Sequence, residues 1–101
     1  MLESAYEECL CFELSEIGLK FERQVPLQVR YKGVNLDCGY KIDIVVEELV
    51  IIELKAVERI IPVHEAQLLS YLKLYDKPVG LILNFHVPRL TDGLKRIVNN
   101  F

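Results

Sequence analysis

The sequence predicts one α/β domain whose elements run helix, three strands, helix, strand, helix. Three observations carry that reading. Leu2 to Ile17 and Val63 to Tyr75 place apolar residues at helical spacing. Phe21 to Tyr31 alternates apolar and polar residues, as a half-exposed strand does. Val79 to Phe85 is continuously apolar, the pattern of a strand covered on both faces. The chain has 101 residues, 51% of them hydrophobic, which suits one compact domain with its own core.

Each element has a local cause. In the first helix Leu2, Ala5, Tyr6, Cys9, Leu10, Leu14 and Ile17 form the predicted apolar face, and Gly18 stops it. Glu3 and Glu7, four residues apart, share a side of that helix. The first strand, Phe21 to Tyr31, sets Phe21, Val25, Leu27, Val29 and Tyr31 on one face, and Pro26 assigns it to a sheet edge. Lys32-Gly-Val-Asn35 supplies turn chemistry, so the strand near Leu36 to Val46 pairs antiparallel with the first as a hairpin. Glu47-Glu48 turns into a third strand, Leu49 to Leu54. Pro62 opens the second helix, a normal first helical residue. Asp76-Lys77-Pro78 breaks it ahead of the buried strand. Thr91 then caps a last helix through Phe101, with Leu94, Ile97, Val98 and Phe101 on one face.

Composition excludes several classes. Three cysteines (Cys9, Cys11 and Cys38) cannot all pair, and Cys9-x-Cys11 has neither zinc-site spacing nor a neighbouring His. Free, mostly buried thiols in a reducing cytoplasm are expected. The first turn is acidic rather than basic, so no secretory leader is read there, and no apolar run is long enough to cross a bilayer. A net charge of −3 argues against a protein that coats nucleic acid, but not against a nuclease whose acids gather at its site.

The chemistry lies in Cys38-Gly-Tyr-Lys-Ile-Asp43 and Val50-Ile-Ile-Glu53-Leu-Lys55. Alternation along a strand puts Glu53 and Lys55 on one side, roughly 7 Å apart. Read the same way, Tyr40, Ile42, Ile44 and Val46 form an apolar face and leave Lys41 and Asp43 on the polar one. Two acids and a lysine converging on adjacent strands fit a divalent-metal site for phosphodiester hydrolysis. Mg²⁺ takes hard oxygen ligands and often only one or two protein carboxylates. Asp43 and Glu53 meet that demand, the Leu54 backbone carbonyl adds a third oxygen, and Glu3 reaches in from the first helix as a ligand or outer-shell partner. Lys55 orients or deprotonates the attacking water, or stabilises charge developing on the phosphate. Gln67, one turn before Tyr71, holds Lys55 or a phosphate oxygen. Singly, each residue has an ordinary structural explanation. Their weight comes from combination, because both charged clusters flank strongly apolar strands where stray carboxylates are costly. His64 and His86 sit in no triad-like arrangement and read as non-catalytic.

With these residues in view, the chain resembles the PD-(D/E)XK nuclease superfamily and, within it, the small GxxExxY proteins. Leu2-Glu3-Ser-Ala-Tyr6 is similar to the tail of the naming motif. Gly39-Tyr40-Lys-Ile-Asp43, Ile52-Glu53-Leu-Lys55-Ala-Val, His64-Glu-Ala-Gln67-Leu-Leu-Ser-Tyr71-Leu and Gly80-Leu-Ile-Leu-Asn84-Phe85 are similar to its later blocks. Ile42 stands where the superfamily has its Pro, a tolerated change because the carboxylate does the metal work. The resemblance implies a restriction-endonuclease-like core, a mixed four-stranded sheet flanked by helices. It also implies a site at Asp43, Glu53 and Lys55 with Glu3 and Gln67 as accessories.

The resulting expectation is a cytoplasmic Mg²⁺-dependent nuclease, with Mn²⁺ as a substitute ion. DNA is the expected substrate and RNA the second choice, with no membrane partner and with a homodimer or protein partner left open. The rival expectation is a non-catalytic nuclease-fold module that binds or regulates through a partner or oligomer.

Overall fold

A computed structural model describes residues 3–87 and 90–99, with the side chains of Cys38, Leu90 and Thr91 outside the description. Helix α1 (Glu3–Glu16) leads into strands β1 (Phe21–Tyr31), β2 (Val34–Val46) and β3 (Val50–Lys55). Helix α2 (Pro62–Tyr75), strand β4 (Val79–Asn84), a short 3₁₀ turn (Leu90–Gly93) and strand β5 (Leu94–Val98) follow. The five strands form one mixed sheet in chain order, with β1 at its edge as Pro26 requires. Every pairing is antiparallel except β3 with β4, which are parallel and joined through α2.

The last helix expected over Thr91–Phe101 is absent from the described residues, and among them the sheet has five strands rather than four. Leu94–Val98 pairs with β4 from Val79↔Val98 to Leu83↔Leu94. Leu94, Ile97 and Val98 satisfy a helical spacing, but five residues do not separate a helix from a strand by pattern. Tertiary context decides it. Without β5, the apolar strand β4 would present an open edge. Asn99, buried at the end of β5, donates to the carbonyls of Leu72 and Lys77 and ties that end to the C-terminus of α2.

Two hairpin turns close the first three strands. Lys32-Gly33 (φ 51° and 79°) and Glu47-Glu48 (φ 52° and 59°) both take the left-handed conformations that match strand twist in two-residue hairpins. Glycine tolerates this at Gly33; at Glu47 the strained backbone is braced, because its Oε2 accepts the Lys20 N–H at 3.0 Å. Pro62 begins α2 as expected, and His64 Nδ1 accepts the Ile61 N–H at 3.2 Å, so this histidine caps the helix.

A core forms on each face of the sheet. Under α2 lie Leu27, Val45, Ile51 and Ile82, packed against Leu68, Tyr71 and Leu72. Under α1 lie Ile44, Val46, Ile52, Leu54 and Leu83, packed against Cys11 and Leu14. Each fully buried aliphatic side chain among them contributes about 1.5–3 kcal/mol.

Two expected faces need correction. Ile42 belongs to the α2-side core, whereas Ile44 and Val46 belong to the α1 side, so Tyr40–Val46 is not one continuous apolar face. The alternation breaks around Asp43, where β2 leaves β3 and where Gln24 on β1 has φ 51°. In α1 the buried side chains are Glu7, Cys11 and Leu14, while Cys9 and Ile17 are exposed. Apolar residues are spread round this helix, and the sheet selects which flank is covered. The expectation of mostly buried thiols therefore holds for Cys11 and fails for Cys9. Among the described residues no helix is long and apolar enough to cross a membrane.

Candidate active site

Strand β3 carries the site because its alternation continues past the core. Ile51 packs beneath α2; two residues on, Glu53 points the same way, and Lys55 follows at the strand's end. These side chains open into a cleft of about 330 Å³. Asp43 and Lys41 line it from β2, Gln67 and Tyr71 from α2, and Glu3, Ser4 and Glu7 from α1. The residues singled out in sequence (Glu3, Asp43, Glu53, Leu54, Lys55 and Gln67) thus border one space.

Asp43 is placed by the separation of two strands. The β2–β3 ladder covers Val46 to Ile44 and stops there. At the next position the Asp43 side chain takes over, its Oδ2 accepting the Leu54 N–H at 2.8 Å. That bond fixes the carboxylate between the strands beside Glu53.

Glu53 is the electrostatic anomaly. It is only 8% exposed, and its Oε1 is buried with no hydrogen-bond partner. Burial first, then a hydrogen bond and charge from Asp43, push its carboxyl up to about 9, against the smaller opposing pull of Lys55. A buried acid facing a second acid is short of positive charge. A divalent cation would supply it and use the orphaned oxygen, so the donor set fits a hard metal ion. Among the described residues no three His, Cys, Asp or Glu side chains cluster closely enough to hold an ion unaided. The remaining coordination would fall to the Leu54 carbonyl, water and substrate oxygens.

The walls are held by contacts that sequence reading missed. Glu7 is 6% exposed and accepts from Arg23 (Nη2 at 2.6 Å, Nε at 3.2 Å) and from Gln24 Nε2 at 2.7 Å. Arg23 also meets Glu8 at 2.7 Å; the two acids hold its guanidinium firmly protonated, and the hydrogen bond and charge of Arg23 lower the Glu8 carboxyl. The network fastens α1 to β1 at the cleft. Its only sequence signal was Glu7 lying one turn from Glu3. Tyr6 stacks on Phe85 with ring centroids 4.1 Å apart and planes 7° off parallel, which fixes the start of α1 against the end of β4. Buried Asn84 donates to the Val57 carbonyl at 2.8 Å and accepts N–H groups of Val57 and His86 at 3.1 and 3.2 Å. It staples the chain just after Lys55.

A mixed sheet between helices, with Asp43 opposite Glu53-x-Lys55 where the strands part, defines a restriction-endonuclease-like nuclease fold. The profile of the PD-(D/E)XK nuclease superfamily matches residues 1–97, and the chain belongs to that superfamily. Comparison with curated proteins and with solved structures returned no match. Nucleases of this superfamily generally depend on a divalent metal, and membership implies a nuclease-type function with nucleic acid as ligand.

Proposed function

We propose that the protein is a Mg²⁺-dependent nuclease that hydrolyses phosphodiester bonds in DNA, Mn²⁺ serving as a substitute ion. One observation carries this reading: Asp43 faces a buried Glu53 whose Oε1 lacks a partner, beside Lys55 in an open cleft. Asp43 and Glu53 would hold the ion, with the Leu54 carbonyl as a third oxygen and Glu3, on the α1 wall of the cleft, acting through water. When bound, the ion supplies Lewis acidity to the phosphate and acidity to a water. Lys55 orients that water or stabilises the charge developing on the phosphate, the sort of fixed electrostatic help that works best in a shielded site. Gln67 holds Lys55 or a phosphate oxygen from α2. Within the superfamily, the sequence blocks point to the GxxExxY proteins.

Calorimetric titration with Mg²⁺ or Mn²⁺, paired with cleavage of labelled single- and double-stranded DNA and RNA, tests the proposal. One ion per chain and metal-dependent cleavage are expected. A chain that binds neither ion and cuts nothing would be a non-catalytic module working through a partner.

Asp43 gives a sharper test. Both Asp43→Ala and Asp43→Asn should abolish ion binding and cleavage. They should differ in stability: alanine strands the Leu54 N–H, at a cost of about 1–3 kcal/mol. Asparagine keeps an acceptor oxygen and should melt no lower than the wild type without metal. If Asp43→Asn still binds Mg²⁺ normally, Asp43 is not a ligand.

A further inference from the structure

The β1–β2 hairpin runs well beyond the sheet. β2 pairs with β3 only at Ile44–Val46, yet it pairs with β1 out to Tyr31↔Val34. The projecting arm, residues 27–41, carries Arg30, Lys32 and Lys41 against Asp37 alone, a net +2 in a chain of net −3. It is a local positive element on an acidic protein.

The root of the arm is built irregularly. The register steps from Pro26↔Lys41 to Gln28↔Asp37, so Leu27 alone faces Cys38, Gly39 and Tyr40. Asp37 Oδ1 accepts the Gly39 N–H at 2.8 Å, and Gly39 sits at φ 78°, where glycine is favoured. Bulges beside active sites re-aim side chains. Here Tyr40 is turned toward α2, its ring 6.4 Å from that of Tyr71 and tilted by 49°, and it stays 56% exposed. Tyr40 lines a second hollow of about 280 Å³ with Leu27 and Leu74, and Gln67 and Tyr71 border both this hollow and the active-site cleft. Its neighbour Lys41 lines the cleft itself.

A cation in the cleft followed by an exposed aromatic ring over an apolar hollow matches a phosphate followed by a flat base. In a continuous duplex the base faces are stacked and out of reach; in a single strand they are open to aromatic side chains. We propose that Tyr40 and Lys41 form a nucleotide subsite next to the scissile position. Lys41 holds a backbone phosphate and Tyr40 stacks on an unpaired base, so the enzyme prefers a single strand over continuous duplex. This rests on the nuclease reading above.

The test is fluorescence anisotropy of the full chain with labelled oligothymidylate and with a labelled duplex of the same length, in Ca²⁺ so that binding is read apart from cleavage. Tyr40→Ala should weaken strand binding about tenfold, the loss of one base–aromatic stack, and duplex binding less than about twofold. Tyr40→Phe should restore the wild-type preference. Lys41→Ala should weaken both and reduce the slope of log affinity against log salt on the strand by about 0.7. Equal losses on strand and duplex, or none, with a wild type that still binds and cuts, would overturn the subsite and leave the nuclease reading standing. Loss of self-association in Tyr40→Ala with strand affinity unchanged would assign the patch to a second copy of the chain and also overturn it. A wild type that neither binds nor cuts nucleic acid would remove the nuclease reading and the subsite together.

Discussion

Lys55→Ala is expected to lower the cleavage rate by about 10²-fold or more while leaving ion affinity within a few-fold, the range for removing one positioned electrostatic or proton-transfer group. Lys55 ends β3 two residues after Glu53 and on the same face, and its charge already pulls against the raised Glu53 carboxyl. A cation cannot be a metal ligand, so its loss acts on the chemical step. Removing it also takes a compensating charge from Glu53, which should weaken ion-free ionisation of that acid rather than the ligand set. Single-turnover cleavage at saturating Mg²⁺, beside calorimetry on the same variant, separates the two effects. Cleavage equal to wild type would exclude Lys55 from the chemistry.

Glu53→Gln should have two opposite consequences. Ion binding and cleavage are lost with the ligand, while the metal-free chain gains stability. The sign follows from linkage. The folded carboxyl lies near 9, above the ordinary value of 4.5 that holds in the unfolded chain, so between those limits folding must take up a proton. The contribution of Glu53 is therefore fully present below about pH 4.5 and is lost as pH rises through about 9. Wild-type melting temperature in chelator should fall across that window, and the Glu53→Gln profile should be flatter. The variant's advantage should be on the order of 5 kcal/mol at pH 8 and shrink below about 1 kcal/mol near pH 5. The same proton competes with the metal, so Mg²⁺ affinity should rise with pH toward 9 and binding should release a proton. Parallel melting curves for the two proteins at pH 5 and pH 8 would show that Glu53 is not held protonated by the fold.

The supporting contacts suggest how the site keeps two acids together before a metal arrives. Leu54 N–H anchors Asp43, Asn84 fixes the loop after Lys55, and the Glu7–Arg23–Gln24 network fixes the α1 wall. Without metal, the raised Glu53 carboxyl keeps its proton and can share it with Asp43, so the two acids sit together without a full charge on each. Such preorganisation spares the ion from having to gather its ligands.

The sequence by itself determined the local elements and the chemistry-bearing residues. Helical spacing marked α1 and α2, alternation and turn residues marked the β1–β2 hairpin, and Glu53-x-Lys55 on one face followed from strand geometry. These are short-range properties, written within a few residues of where they act. Tertiary structure decided the rest. Whether Leu94–Val98 became strand or helix depended on the open edge of β4, contributed from another part of the chain. Which flank of α1 was buried depended on the sheet beneath it, so Glu7 went in and Cys9 stayed out. The break in β2 at Asp43 depended on where β3 stops pairing, and that break gives Asp43 its bond to Leu54 and its place beside Glu53. The raised Glu53 carboxyl is the clearest case. Sequence supplies the acid, but only the packing of α2 and β2 around it supplies the burial and the neighbouring charge that shift it.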